Sequence, residues 1–277
     1  MRRLLLAAAF ASAAAGAVRA GEIVIVAPAS PSTPYTDAIR GVCDALGACP
    51  TVLPADEDVG IPTDARVVIA LGGRAARLDY PAQTALVTAL SPGYEARSRS
   101  GSGRVVRVRL TLAPDAFVRR LLALKPDSRS ATLLWSEASS GRFADAVRAA
   151  GEPLGLAVAS VKVSDPDTLP SILRQLPRTD ALSLAPDSAL VTPTTFDAVC
   201  EYARSAGLSF FAPAPALAAR CGLAGLAPDF RSAGLRAGAA AREALAGSPL
   251  PESAYPSAPG TEPLTDIVAS TKTRTNR

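Results

Sequence analysis

The 277-residue chain contains no histidine, one tryptophan and one methionine, and aromatic residues make up only 5% of it. Without histidine it has no Ser-His or Cys-His nucleophile pair and lacks the commonest general base. Most zinc and iron sites go with it, because imidazole is their usual ligand. Catalysis by carboxylates, lysine or tyrosine remains open, but no paired-acid motif stands out. No segment after the N-terminus is long and apolar enough to span a bilayer. Charge of one sign is not concentrated either. The net charge of +4 comes from arginines scattered along the chain, apart from a run over 97–109. A nucleic-acid-binding domain needs a clustered basic face with aromatic or helix-turn-helix support, and neither is present, so no nucleic-acid partner is expected.

The N-terminus has a different character. Met1-Arg2-Arg3 is basic, Leu4 to Val18 is apolar or small, and Val18-Arg19-Ala20 places small or short residues where a signal peptidase reads. The apolar run is shorter than the roughly 20 residues a spanning helix needs. Residues 1–20 are therefore expected to be a cleaved secretory signal, with the rest of the protein soluble in the periplasm. Four cysteines follow it: Cys43, Cys49, Cys200 and Cys221. In an oxidising compartment an even count suggests two disulfides, for which three connectivities exist. Cys43 with Cys49 and Cys200 with Cys221 gives the shortest loops. The spacings do not match a metal-binding CxxC pair, and no cofactor or metal is expected.

Buried strands alternate with helical patterns along the chain. Apolar, β-branched runs at 23–27, 66–71 and 85–90 read as buried strands, with a short one at 52–54, while 105–110 alternates apolar and Arg residues as a half-exposed strand would. Apolar spacing over 35–46 predicts a helix stopped by Gly47, and a second helix starts at 75–78. The stretch 94–103 is polar and reads as a loop. A second set follows, with strands at 131–135, 156–163, 181–185, 208–211 and 223–226. Its helices fall at 115–124, 143–154, 169–176 and 194–206, and one more follows at 232–245. Such alternation implies a parallel sheet covered by helices on both faces. The set is too large for one ordinary sheet and breaks near 111–114. The expected fold class is α/β, two doubly wound parallel-sheet lobes with a cleft between them.

Several segments carry a resemblance. Leu124-Lys125-Pro126-Asp127-Ser128-Arg129-Ser130 with Ala131 to Trp135, Ser136 to Ser140 with Gly155-Leu156, and Thr179 to Ser188 are similar in order and spacing to segments of ABC-transporter substrate-binding proteins. Arg66 to Ala76, Gly222 to Phe230 and Leu235 to Gly247 extend the likeness over most of 23–250. The group includes aromatic amino-acid receptors and uncharacterised solute receptors. The resemblance implies a type I periplasmic-binding fold, with lobe one formed by 21–111 and about 227–247 and lobe two by 112–226. Residues 248–277 form a Pro/Ser/Thr-rich C-terminal segment. It also implies a non-catalytic, monomeric solute binder that closes on a small molecule and docks on an inner-membrane permease. The sequence departs from the pattern in places. Ser102 to Arg109 stands where the family has a Gly-Asn-x-Thr-Gly turn, an Asp-Pro pair is reduced to Ser91-Pro92, an Asn is replaced by Ser188, and no closing C-terminal strand is evident. These losses leave room for a receptor-like sensor or interaction protein without transport.

Ligands of doubly wound sheets sit beyond the carboxyl ends of the strands. The candidate binding residues are therefore those of the loops there. Ser30, Ser32 and Thr33 follow the first strand and offer hydroxyls to a ligand or to a helix cap. Gly72-Gly73-Arg74 offers free backbone N–H groups or a plain tight turn. Ser91 ends a strand, and Ser136, Ser139 and Ser140 occupy the matching loop of the second set. By resemblance, Asp187 pairs with a ligand ammonium, with Ser188 beside it and Asp229 at the return to lobe one; capping of a helix turn is the competing role for Asp187. Trp135 at a strand end is either a stacking surface or core.

Overall fold

A computed structural model describes residues 22–256 except 57, 92–103, 137, 188, 223, 227, 250 and 252. The expected signal segment, the whole of the polar stretch 94–103 and the C-terminal residues beyond 256 lie outside the described residues. The first half runs β1 (Ile23–Ala27), α1 (Thr33–Leu46), β2 (Thr51–Pro54), β3 (Val67–Leu71), α2 (Gly73–Arg77), β4 (Ala85–Ala89) and β5 (Val105–Val108). The second runs α3 (Pro114–Leu124), β6 (Ser130–Trp135), α4 (Ala138–Gly151), β7 (Ala157–Lys162), α5 (Leu169–Gln175), β8 (Ala181–Leu184), α6 (Pro193–Ser205), β9 (Ser209–Ala212), α7 (Pro215–Ala218) and β10 (Ala224–Gly225). Helix α8 (Phe230–Leu245) and β11 (Ser253–Ala254) complete the chain.

The strands form two separate, wholly parallel sheets. Sheet one has the order β11-β5-β4-β3-β1-β2 and sheet two the order β10-β9-β8-β6-β7. Each sheet starts in the middle, adds one strand to one side and then builds out to the other. That is the 2-1-3-4-5 order of doubly wound folds. The sequence dictates this directly, because every residue of β1 (IVIVA) and β3 (VVIAL) is buried. A strand covered on both faces has no need for polar alternation.

One face of sheet one packs Ile23, Ile25, Ile69 and Val87 against α1 and α8, while the other buries Val24, Val26, Val68 and Leu86 beneath Ala75 and Tyr80. Sheet two is sandwiched likewise. Leu133 and Phe211 face α3 and α4, whereas Leu134, Leu182 and Phe210 face α5 and α6. The α1–α8 contact is unusually close. A methyl group on Gly41 would strike the Arg231 carbonyl oxygen, and one on Gly234 would strike the Ala38 carbonyl. Only glycine lets the two backbones approach this far.

Several boundaries depart from the pattern in the sequence. Helix α4 starts at Ala138 rather than 143, because Ser139, Ser140 and Gly141 form its first turn without contributing apolar spacing. Helix α8 starts at Phe230, with Asp229 as its cap. The closing strand that the sequence does not show is present in short form. β11 pairs in parallel with β5, Ser253 opposite Arg107, so part of 248–277 joins sheet one. Two residues are too few to leave a periodic trace.

Candidate functional site

In this strand order the crevice lies where neighbouring connections leave in opposite directions. In sheet one that point is between β1 and β3, and in sheet two between β6 and β8.

Around the sheet-one crevice, Ser30, Ser32 and Thr33 are exposed on the way into α1. Ser32 is the N-cap of α1, yet only its carbonyl is used, by the N–H groups of Tyr35 (2.9 Å) and Thr36 (3.1 Å). Its hydroxyl makes no capping bond. Across the crevice, Gly72 adopts φ 97 and donates its N–H to the Ala89 carbonyl at 2.8 Å. A side chain there would meet the Tyr35 ring, with the hydroxyl 2.8 Å from a Cβ. Tyr35 therefore stands over the turn after β3, a placement that the helical spacing of α1 alone does not reveal. Gly73 begins α2, and the exposed Arg74 reaches Asp56 at 3.8 Å. Ser91 follows Leu90, whose φ of 55 bends the chain sharply at the end of β4. Non-glycine residues seldom hold this conformation.

The sheet-two crevice is organised by one carboxylate. Asp187 is 1% exposed. Its Oδ2 accepts the Ser136 N–H at 2.6 Å, and its Oδ1 accepts the Ser140 hydroxyl. Its own carbonyl accepts the N–H groups of Leu190 (3.1 Å) and Val191 (2.8 Å), which closes the turn that leads into α6. Three expected site residues, Ser136, Ser140 and Asp187, are thus brought together, and they bind one another. Ser139 lies in the first turn of α4, and Ser188 lies outside the described residues.

Two further candidates have internal partners. Asp229 is exposed and accepts the Ser232 N–H at 2.6 Å, the standard N-cap bond of α8. Trp135 donates its Nε1–H to the Ser160 hydroxyl at 2.8 Å, and its ring lies against the backbone of Gly141, where a Cβ would be 2.7 Å away. The indole is half-buried between α4 and β7, with Lys162 Nζ 5.6 Å from its ring centroid.

Beside this crevice lies a small, shallow apolar recess that the sequence did not suggest, with room for about one water molecule. Leu184, Pro186, Pro213 and Leu226 line it from the carboxyl edge of sheet two. Leu110 and Thr111 line it from the crossover between β5 and α3, and Phe117 and Phe143 from the two helices. The two phenyl rings meet edge to face, with centroids 5.6 Å apart and planes at 88°. Their apolar spacing marks them as core but does not show that a hole lies beside them.

Cys43 is bonded to Cys49 and Cys200 to Cys221, the short-loop connectivity. The first ties α1 to the approach to β2, and the second ties α6 to the turn after α7. Among the described residues no cluster of His, Cys, Asp and Glu could hold a metal ion, and no helix is long and apolar enough to cross a membrane.

With this geometry the chain is similar to solved binding-protein structures. A substrate-binding protein with adhesive properties from Clostridium difficile, in its ligand-free, open form, matches with a TM-score of 0.59 at 13% identity, over 85% of this chain and 89% of that one. A conserved domain protein from Vibrio cholerae matches with a TM-score of 0.55 at 12% identity, over 86% and 90%. An ABC domain from Streptococcus pneumoniae, in complex with L-tryptophan, matches with a TM-score of 0.53 at 17% identity, over 85% and 90%. The fold is that of the type I periplasmic-binding proteins. No protein-family profile matches the sequence, and no curated protein does.

Proposed function

We propose that this chain is a periplasmic solute-binding protein that closes two α/β lobes on a small polar or amino-acid-like molecule and presents it to an inner-membrane ABC permease. The observation that carries the reading is the repetition of one strand order in two sheets, which gives the molecule two switch-point crevices rather than one. Lobe one would comprise 21–111 and about 227–247, extended by β11, and lobe two 112–226. The crossover at 109–113 would act as a hinge. A ligand touching both lobes favours the closed state by its differential affinity for it. The reading is non-catalytic and monomeric, with no cofactor and no nucleic acid. The amino-acid-like ligand follows the relative that holds L-tryptophan. Export fits the two disulfides, which persist in oxidising compartments.

A second reading has its own support. The carboxylates of Asp187 and Asp229 are engaged within the protein, as a receptor-like interaction protein that has given up its solute would allow. One experiment separates the two. The mature protein is unfolded, dialysed free of co-purified solutes, refolded and screened by thermal shift against amino acids, short peptides, nucleosides and sugars. A saturable rise in Tm with at least one class supports solute binding. A flat response across all classes removes it and leaves the interaction reading.

A further inference from the structure

The segment that follows α8 is tied to sheet one by three arginines. Arg66, just before β3, donates an Nη2–H to the Leu245 carbonyl at 3.5 Å, and Arg104, just before β5, donates an Nη1–H to the Ser248 carbonyl at 2.6 Å. Arg109, the first residue after β5, turns its Nε–H and an Nη2–H to the Ser253 hydroxyl oxygen, at 3.2 and 3.1 Å. Its backbone N–H extends the β11–β5 ladder by bonding the Ala254 carbonyl at 2.9 Å. A strand of 2 residues is shorter than ordinary strands and holds weakly by itself. Bonds from a charged guanidinium are stronger than neutral ones, so these side chains supply the hold that the short ladder lacks. The last of them acts on Arg109, where the chain leaves sheet one for sheet two.

The far side of the crossover is anchored too. Leu112 is 1% exposed in the core of sheet two, whereas Leu110 still packs on the core of sheet one. The chain bends at Leu110 and Thr111, between these two anchors. We infer that Arg109 and Ser253 are positioning residues for lobe closure. They clamp the lobe-one end of the crossover and confine the pivot to 110–112, with Thr111 at its centre. The inference rests on the closing-lobe reading and names the device that controls it. Hinges absorb a domain motion in a few backbone dihedrals. With the clamp in place, rotation at Thr111 carries one rigid lobe against the other. With the clamp released, Arg109 and the end of β5 join the moving part, and the lobes sample a wider range of arrangements.

The test uses the full mature chain without ligand, spin-labelled through non-natural residues at Arg40 on α1 and Glu201 on α6, both exposed and outside the clamp. The four cysteines stay in their disulfides. Pulsed electron resonance reads the lobe-to-lobe distance distribution. Ser253→Ala is expected to broaden it and to speed amide exchange at Arg109 on the order of tenfold. Ser253→Thr keeps the hydroxyl and is expected to restore both. Thr111→Gly, which frees the pivot itself, is expected to broaden the distribution while exchange at Arg109 stays slow. If Thr111→Gly broadens the distribution and Ser253→Ala does not, the pair is a local tie at most, and the clamp is overturned while lobe closure stands. Broadening in Ser253→Ala that Ser253→Thr leaves in place overturns the clamp as well. If parent, Ser253→Ala and Thr111→Gly all share one narrow distribution, the lobes do not turn about this crossover, and the closing-lobe reading fails together with the clamp.

Discussion

The Ser136 N–H points at Asp187 Oδ2 from 2.6 Å, and this part-buried bond joins the loop after β6 to the loop after β8. The second oxygen of the same carboxylate holds the Ser140 hydroxyl in the first turn of α4. Three elements around the sheet-two crevice therefore share one side chain. Asp187→Ala would leave a part-buried N–H and a part-buried hydroxyl without their acceptor. A fully buried unsatisfied group costs about 1–3 kcal/mol, so the variant is expected to lose up to about that much stability in urea titration. Asp187→Asn retains one oxygen acceptor and is expected to lose less. Equal stability of the alanine variant and the parent protein would show that the carboxylate is not the clasp described.

How far such features can be read from sequence depends on their range. The strands were legible because IVIVA and VVIAL are continuous apolar runs, a signal carried by each residue independently. The break into two sheets was legible for the same reason. Asp187 was legible as a carboxylate past a buried strand, but its partners lie 47 and 51 residues away in sequence, and no local pattern encodes that pairing. The recess was hidden for a different cause. Phe117 and Phe143 obey the spacing of core residues whether the space beside them is filled or empty. Tyr35 likewise reads as part of a helix face, and only the left-handed turn at Gly72 brings β3 beneath it.

The α1–α8 contact reverses an ordinary expectation. Replacing a mid-helix glycine by alanine usually stabilises a helix by about 1 kcal/mol. At Gly41 and Gly234 the added methyl meets backbone carbonyls of the opposite helix, which cannot rotate aside. Overpacking of this kind costs about 1–3 kcal/mol. Gly41→Ala and Gly234→Ala are therefore both expected to lower Tm, and the double variant to fall further. A rise in Tm for either would mean that the helices are farther apart than described.

The two disulfides are expected to differ in weight. They close loops spanning 6 and 21 residues. On the chain-entropy account, constraining the unfolded chain is worth about 2 kcal/mol for the shorter and about 3 kcal/mol for the longer. The paired variant Cys200→Ser/Cys221→Ser should therefore lower the urea midpoint more than Cys43→Ser/Cys49→Ser. The reverse order would indicate that the link between α1 and β2 matters for native packing beyond its effect on the unfolded chain.

Asp180 gives a prediction with a definite sign. Its carboxylate accepts the backbone N–H of Arg129 at 2.8 Å, and the N–H and hydroxyl of Ser130 at 2.9 Å each. These bonds, the Arg129 N–H foremost, favour the charged form and hold the carboxyl below its ordinary value of about 3.8. The unfolded chain takes up the proton first as pH falls, so native stability drops in that range. The contribution is full above the unfolded value, declines below it and is gone once pH passes the lowered native value. Asp180→Asn removes the titrating group and should flatten the acid limb of a stability–pH profile below about pH 4. It should also leave the variant less stable than the parent at pH 7, where the charged acceptor is at full strength. Because Asp180 pins the start of β8 to the start of β6, the same variant should speed amide exchange at Arg129 and Ser130 at neutral pH. Unchanged exchange there, with an unaltered acid limb, would remove Asp180 as the tie between these strands.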